Sequence, residues 1–286
     1  MMPRPKDLIE LLKPTILGLS VLMAALGLYL APESARLATT AWLLIGTGLV
    51  VGSANALNMV LERDTDALMQ RTRMRPLPAG RLSARTALVF GLGIGAAGTV
   101  ALALGTNTLT AGLGAFALVT YVLVYTPLKR RTTLALVIGA VPGAMPPLMG
   151  WTAATGSIGA AGLVLFAVLL VWQLPHFLAI AIYRKKDYEH AGIRIVPVVR
   201  GDEVAKRQAL AYATAMIPLS LLLVPLGAAG WIYGVGALLA SLAFLQVHLK
   251  GFRSAPPARW ARRVFFASLV YLPALGAVLV LDRVIG

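Results

Sequence analysis

An all-α bundle of nine transmembrane helices is the fold this sequence predicts, and three observations predict it. Of its 286 residues 58% are hydrophobic and only 13% charged, and a mean hydropathy of +0.80 is far too high for a soluble domain of this length. Nine apolar runs are long enough to cross a hydrocarbon core of ~30 Å, which takes ~20 residues. Nearly all lysines and arginines stand in alternate connections between those runs. The expectation is a single intramembrane domain over residues 1–286, with its N terminus inside and its C terminus outside.

The runs lie near 15–31, 37–61, 86–104, 108–126, 133–152, 159–182, 209–228, 231–248 and 264–284. A basic segment precedes the first, but eight more runs follow, so it reads as a retained helix and not a cleaved signal peptide. Glycines and prolines such as Gly91, Gly93, Gly95, Pro142, Pro146 and Pro147 interrupt the runs, which neighbouring membrane helices tolerate by re-satisfying the backbone. Kinked, closely packed helices are therefore expected.

Orientation follows from the cations, whose excess marks the cytoplasmic side. The N-terminal arm and the connections 62–85, 127–132, 184–207 and 249–263 hold 24 of the 26 lysines and arginines, leaving only Arg36 and Arg283 for the other side. The net charge of +15 does not point to nucleic acid, because no soluble basic domain remains to grip it. Anionic headgroups and a phosphorylated substrate are the better partners. With no cysteine, disulfides, thiolate metal sites and thiol catalysis are excluded. Segments 62–85 and 184–207 carry seven of the eleven acidic residues and follow the second and sixth helices, as a twofold repeat of four-helix units would place them.

Four stretches carry chemistry. At the end of the second helix, Asn58, Glu62 and Asp66 are spaced by four and share one side of a continuing helix, with Asp64 displaced and able to turn inward. Hard oxygens of this kind suit Mg²⁺ holding a diphosphate; solvated charges at a helix end are the alternative, which Asn55 and Asn58 inside the membrane weaken. The loop from Arg71 through Arg75, Pro76 and Pro78 to Arg81 serves either as a cytoplasmic anchor or, through Arg71 and Arg75, as guanidinium forks for phosphate. Tyr125 and Lys129, four apart at the end of the fourth helix, either face a phosphate-binding cavity or form part of an interfacial belt. Within the sixth helix, Trp172, Gln173 and His176 surround the kinking Pro175. A lone histidine is usually a satisfied core residue, but this grouping also suits a haem or another aromatic substrate.

In this order the four stretches resemble the UbiA superfamily of intramembrane prenyltransferases, and within it the branch that farnesylates protohaem. The resemblance runs from Lys13-Pro14 to about Gly201. It is carried by the Asn58/Glu62/Asp64/Asp66 cluster leading to Arg71, by Tyr125 and Lys129 leading to Gly143 and Pro146-Pro147, and by Trp172, Gln173, Pro175, His176 and Phe177 leading through Lys186-Asp187-Tyr188 to Pro197. Two features set the chain apart. His176 stands where other superfamily members have a second aspartate-rich motif, and Glu62 stands where the branch normally has aspartate. The resemblance implies Mg²⁺ on Asn58, Glu62 and Asp66, with Asp64, Asp66, Tyr125 and Lys129 as catalytic groups. It gives Arg71, Arg75, Lys129 and Lys186 to the diphosphate, and His176, Trp172 and Gln173 to the haem. The implied reaction joins the farnesyl group of farnesyl diphosphate to a vinyl group of haem b, with addition of water, giving haem O. A bacterial inner membrane is the implied setting, and a haem A synthase or terminal oxidase the implied partner. Two rivals remain at this stage, a prenyltransferase for an aromatic ring such as 4-hydroxybenzoate and a cation-coupled transporter. Acids gathered at one membrane face, and not at the midplane, count against the transporter.

Overall fold

The computed structural model describes residues 4–32, 35–253 and 255–285, and among these every regular element is helical. The chain forms α1 (Pro5–Leu12), α2 (Pro14–Leu30), α3 (Leu37–Leu61), α4 (Arg63–Leu68), α5 (Ala84–Gly105) and α6 (Thr108–Val119). A π-helical turn, Thr120–Tyr125, leads from α6 into α7 (Thr126–Leu128). Then follow α8 (Ala135–Gly143), α9 (Met145–Thr155), α10 (Ala160–Tyr183), α11 (Lys185–His190), α12 (Val196–Val199), α13 (Asp202–Leu221), α14 (Trp231–Leu249) and α15 (Pro257–Ile285).

Seven of these are long and apolar enough to cross a membrane, with Thr108–Leu128 and Ala135–Thr155 each continuous through a local irregularity. The pair α1 and α2, bent by 50° at Lys13, would make an eighth. The expected run near 209–228 falls on α13, which starts earlier at Asp202, carries Glu203, Lys206 and Arg207 in its first turns, and stops at Leu221. Charge at one end and a turn at the other take it off the list of apolar spans. By length and composition the count among the described residues is therefore seven or eight, against the nine expected.

Lipid offers no hydrophobic drive between helices, so close backbone approach must supply the packing. Helix α3 packs chiefly on α5, and α2 on α9. Of the α5 glycines, Gly95 and Gly98 turn to α3: a Cβ at Gly98 would sit 2.8 Å from Leu49 Cβ, and one at Gly95 would press on the Ser53 hydroxyl 2.5 Å away. Gly93 faces open space. Between α2 and α9, a Cβ on Gly27 would overlap the Pro147 carbonyl, and one on Gly150 the Ala24 carbonyl. Around the other half, α10 packs on α13 and α15, and α14 on both α13 and α15.

The two halves share a device that a twofold repeat predicts. α3 ends at Glu62, whose bridge-region backbone (φ −97°, ψ 5°) turns the chain into the six-residue α4. α10 ends at Arg184 in the same conformation (φ −105°, ψ 16°) and turns into the six-residue α11.

Gly98→Ala should destabilise the protein by about 1–3 kcal/mol, the usual cost of overpacking, whereas Gly93→Ala should be neutral. Thermal unfolding in detergent checks this; equal Tm values for the two variants would contradict the α3–α5 packing.

Candidate active site at the charged end of the bundle

The site grows from the last turn of α3. Asn58 is buried there, and Glu62 follows one turn later, its N–H donating to the Asn58 carbonyl at 2.9 Å. The Asp66 N–H donates in turn to the Glu62 carbonyl at 2.7 Å, so the helical step survives the kink and Asp66 lands beside Glu62, 1% exposed. Asp64 falls on the other side. Its carboxylate is 83% exposed and pairs with Arg63 at 3.0 Å, outside the cluster.

Each buried acid has a cation. Lys129 Nζ meets Glu62 Oε1 at 2.8 Å and sits 4.5 Å above the Tyr125 ring. Arg75 Nη1 meets Asp66 Oδ2 at 2.8 Å. The loop holds Arg75 in place because the Thr72 hydroxyl donates to the Asp66 carbonyl at 2.8 Å and Leu77 and Leu82 are buried beneath it. Arg71, a turn away, is exposed. Burial pushes the Glu62 carboxyl upward, but the Lys129 charge and hydrogen bond, with help from Lys13 and Asn58, outweigh it and hold Glu62 below the usual carboxylate range.

A third cation was hidden among the anchor charges. Lys13 Nζ donates to Asn58 Oδ1 at 3.1 Å. Its backbone is left-handed (φ 50°, ψ 72°), the one such non-glycine among the described residues. Such strain gathers at functional sites. Pro14 cannot continue α1, and the Leu12 carbonyl left by the break accepts from Asn55 Nδ2 at 3.0 Å, which accounts for the second intramembrane asparagine. Asn58 Nδ2 donates to Thr126 Oγ1 at 3.2 Å, and Thr126 donates to the Tyr121 carbonyl at 2.8 Å across the π-helical turn. Turns of this kind mark functional sites and re-aim side chains; here one sets Tyr121 and Tyr125 in contact, ring centroids 5.1 Å apart. The signals for Lys13 were its place before a proline and at the head of an apolar run.

Three cations thus meet two carboxylates around Asn58. The donor set suits Mg²⁺ in one mode: two carboxylates and an amide oxygen, with phosphate oxygens and water completing the shell. Among the described residues no three His, Cys, Asp or Glu side chains converge to hold a metal by themselves. The net positive balance favours an anionic ligand.

The second acidic segment reaches the same end by another route. Met69 packs with Ala191 and Ile193, and the Arg194 N–H donates to the Lys129 carbonyl at 3.1 Å, so the two long connections dock on each other. Lys186 is exposed on α11.

Trp172, Gln173 and His176 divide between two neighbours. Gln173 donates to the Ala140 carbonyl at 3.3 Å and fills the space over Gly143, on α8. Trp172 and His176 stack at 5.1 Å and turn to α15, where both hydrogen-bond to Ser268. Further along α10 and α15 lies a small apolar cleft of about 50 Å³, lined by Met23, Leu26, Leu165, Leu169, Leu272 and Gly276 among others.

A multi-helix membrane bundle with acids and cations paired at one end is the architecture of an intramembrane prenyltransferase, and the UbiA prenyltransferase family profile matches residues 20–270. The chain belongs to that family. It is 54% identical over 238 residues to the protoheme IX farnesyltransferase of Sorangium cellulosum (83% of this chain, 85% of that one). It is 49% identical over 278 residues to the protein of the same name from Myxococcus xanthus (97% and 95%). A UbiA homolog from Archaeoglobus fulgidus, solved bound to GPP and Mg²⁺, shares the fold with a TM-score of 0.73 at 16% identity, over 96% of this chain and 99% of that one.

Glu62→Gln would leave Lys129 buried without its carboxylate, at a cost of about 3 kcal/mol, the low end for a broken buried pair. Because the Glu62 pKa is lowered on folding, its stabilisation is present above the unfolded value of about 4.3 and is lost as the pH falls through the folded one. Unfolding followed at pH 7 and at pH 4 should therefore show a smaller difference between wild type and Glu62→Gln in acid.

Proposed function

We propose that this chain transfers the farnesyl group of farnesyl diphosphate to a vinyl group of protohaem IX, giving haem O. The observation that carries the proposal is the buried Asn58–Glu62–Asp66 cluster, countered by Lys13, Arg75 and Lys129 at one end of an apolar bundle. The curated relatives named protoheme IX farnesyltransferase support the choice of substrates.

Asn58, Glu62 and Asp66 would hold Mg²⁺, as prenyl diphosphate and Mg²⁺ are held together in the archaeal homolog. When bound, the metal supplies neutralising charge to the leaving diphosphate. Lys129, Arg75 and Lys13 bind the phosphate oxygens, and Arg71 and Lys186, exposed at the rim, meet the diphosphate as it arrives, while Asp64, turned outward to Arg63, takes no part. As the allylic C–O bond breaks, its electron pair leaves with diphosphate, and fixed cations in a water-poor site stabilise that charge. Tyr125, stacked beneath Lys129, orients the ammonium and offers a π-face to the allylic cation. The terminal carbon of the haem vinyl group then forms the new C–C bond; water adds to the resulting cation at the adjacent carbon and releases a proton. The prenyl tail lies among the apolar helices of the bundle.

The cation asymmetry supports placing this charged end on the cytoplasmic face of a bacterial inner membrane, where a soluble diphosphate is supplied. A haem A synthase or a terminal oxidase is the partner class that such a product implies.

Purified protein incubated with haem b, farnesyl diphosphate and Mg²⁺ should yield a haem heavier by farnesyl plus water, read by chromatography and mass spectrometry. Prenylation of a phenolic acid with no change to haem would keep the prenyl donor and overturn the acceptor. Asp66→Ala and Lys129→Met should each lower turnover by about 10²-fold or more in protein that remains folded, and near-normal turnover in either would remove that residue from the site.

A further inference from the structure

The hydroxyl of Ser268 lies 2.6 Å from the Phe265 carbonyl oxygen and 2.7 Å from His176 Nδ1. A carbonyl can only accept, so the single hydroxyl proton points to Phe265 and the serine oxygen is left to accept from the ring. Nδ1 therefore carries the imidazole proton and Nε2 keeps its lone pair. No described residue hydrogen-bonds to Nε2. It is also not among the fully enclosed unpaired atoms, in contrast to Nε2 of His248, whose residue is 0% exposed.

The ring has little freedom to turn. Trp172 stacks on it at 5.1 Å and 20°, Phe265 lies at 5.0 Å on a tilt, and Phe177 presents an edge at 5.6 Å. Trp172 is anchored in turn by Nε1 donating to the Ser268 carbonyl at 3.0 Å, so one fully buried serine holds both aromatic groups. A neutral imidazole that donates one nitrogen to a fixed acceptor and keeps the other unpaired has the arrangement of a metal-ligating histidine.

We infer that Ser268 is the positioning residue for His176, fixing the tautomer in which Nε2 ligates the iron of the haem acceptor. The inference rests on the haem reading above and specifies how that substrate is held.

Ferric haem b titrated into the purified full chain, followed by its Soret band and by electron paramagnetic resonance, separates the outcomes. The wild type should show a histidine-ligated spectrum. His176→Gly should lose it and recover it on addition of imidazole. Ser268→Ala should weaken haem binding about tenfold, the usual scale for losing a ligand's outer hydrogen bond, with an altered spectrum, while Ser268→Thr should restore both. Binding of GPP with Mg²⁺, unchanged in all variants, shows that each remains folded. An identical spectrum in wild type and His176→Gly overturns the ligation while leaving haem as acceptor. A Ser268→Ala protein indistinguishable from wild type overturns the positioning role. Absence of haem binding by a wild type that binds GPP overturns the acceptor reading and this assignment with it.

Discussion

Two carboxylates taken out of water at the end of a membrane bundle are each met by a cation, and much of the first half of this protein is arranged around those two pairs. Desolvating an acid costs several kcal/mol unless its partner and remaining hydrogen bonds are in place. Glu62 and Asp66 are met at 2.8 Å by Lys129 and Arg75. Neither cation is close in sequence to its acid in a way that a single helix could exploit. Lys129 is delivered by the end of the Thr108–Leu128 span, and Arg75 by a loop folded back on itself. The ion pairs thus tie α3, α4, the following loop and α7 into one unit.

The irregular backbone serves the same end. The kink at Glu62 ends α3 while the hydrogen-bonded step to Asp66 carries on across it, the left-handed Lys13 breaks α1 from α2 so that its ammonium reaches Asn58, and the π-helical turn brings Tyr121 and Tyr125 together, with Tyr125 beneath Lys129. Each departure exposes backbone groups that a membrane cannot hydrate. Asn55 takes the Leu12 carbonyl, and Thr126 the Tyr121 carbonyl. Polar residues inside the spans are therefore divided between satisfying the broken backbone and building the site. The second connection, docked on the first through Met69, Ala191 and Ile193, covers the assembly from outside.

These physical roles explain what could be read from the sequence. Periodic apolar runs predicted the helical bundle, and spacing by four brought Asn58, Glu62 and Asp66 together because the hydrogen-bonded step from Glu62 to Asp66 outlasts the kink. The same rule placed Asp64 off that face, and only the structure shows it turned outward to Arg63. Arg71 and Arg75 looked equivalent as residues of one basic loop; a turn anchored by Thr72 aims one of them at Asp66. Lys13 read as one more anchor charge; its place before Pro14 was the signal, and only the structure shows the chain break that brings it to Asn58, 45 positions away. Adjacency misled at Trp172 and Gln173, since neighbouring residues on a helix project about 100° apart, and these two face different partners. The span count differed for a related reason: α13 mixes a charged start with an apolar remainder, and composition alone treats the two as one.

A site whose acids are already paired sets the terms on which a diphosphate can enter. On the proposed reading, Glu62 and Asp66 would hold the metal, and Lys129 and Arg75, with which they now pair, would turn to the phosphate oxygens. Every buried charge changes partner and none is left alone, which avoids the penalty of an unpaired ion in low dielectric. Either ligand alone would strand one set: a bare metal would leave Lys129 and Arg75 facing each other's charge, and a bare diphosphate would leave the carboxylates exposed to its own. Lys13, held by Asn58, adds a third donor for the anion. Lys129, fixed against Tyr125, and Arg75, fixed by the Thr72 turn, would meet the negative charge that grows on the diphosphate as the bond to the prenyl group breaks, which is the condition for accelerating the step and not merely for holding its reactant.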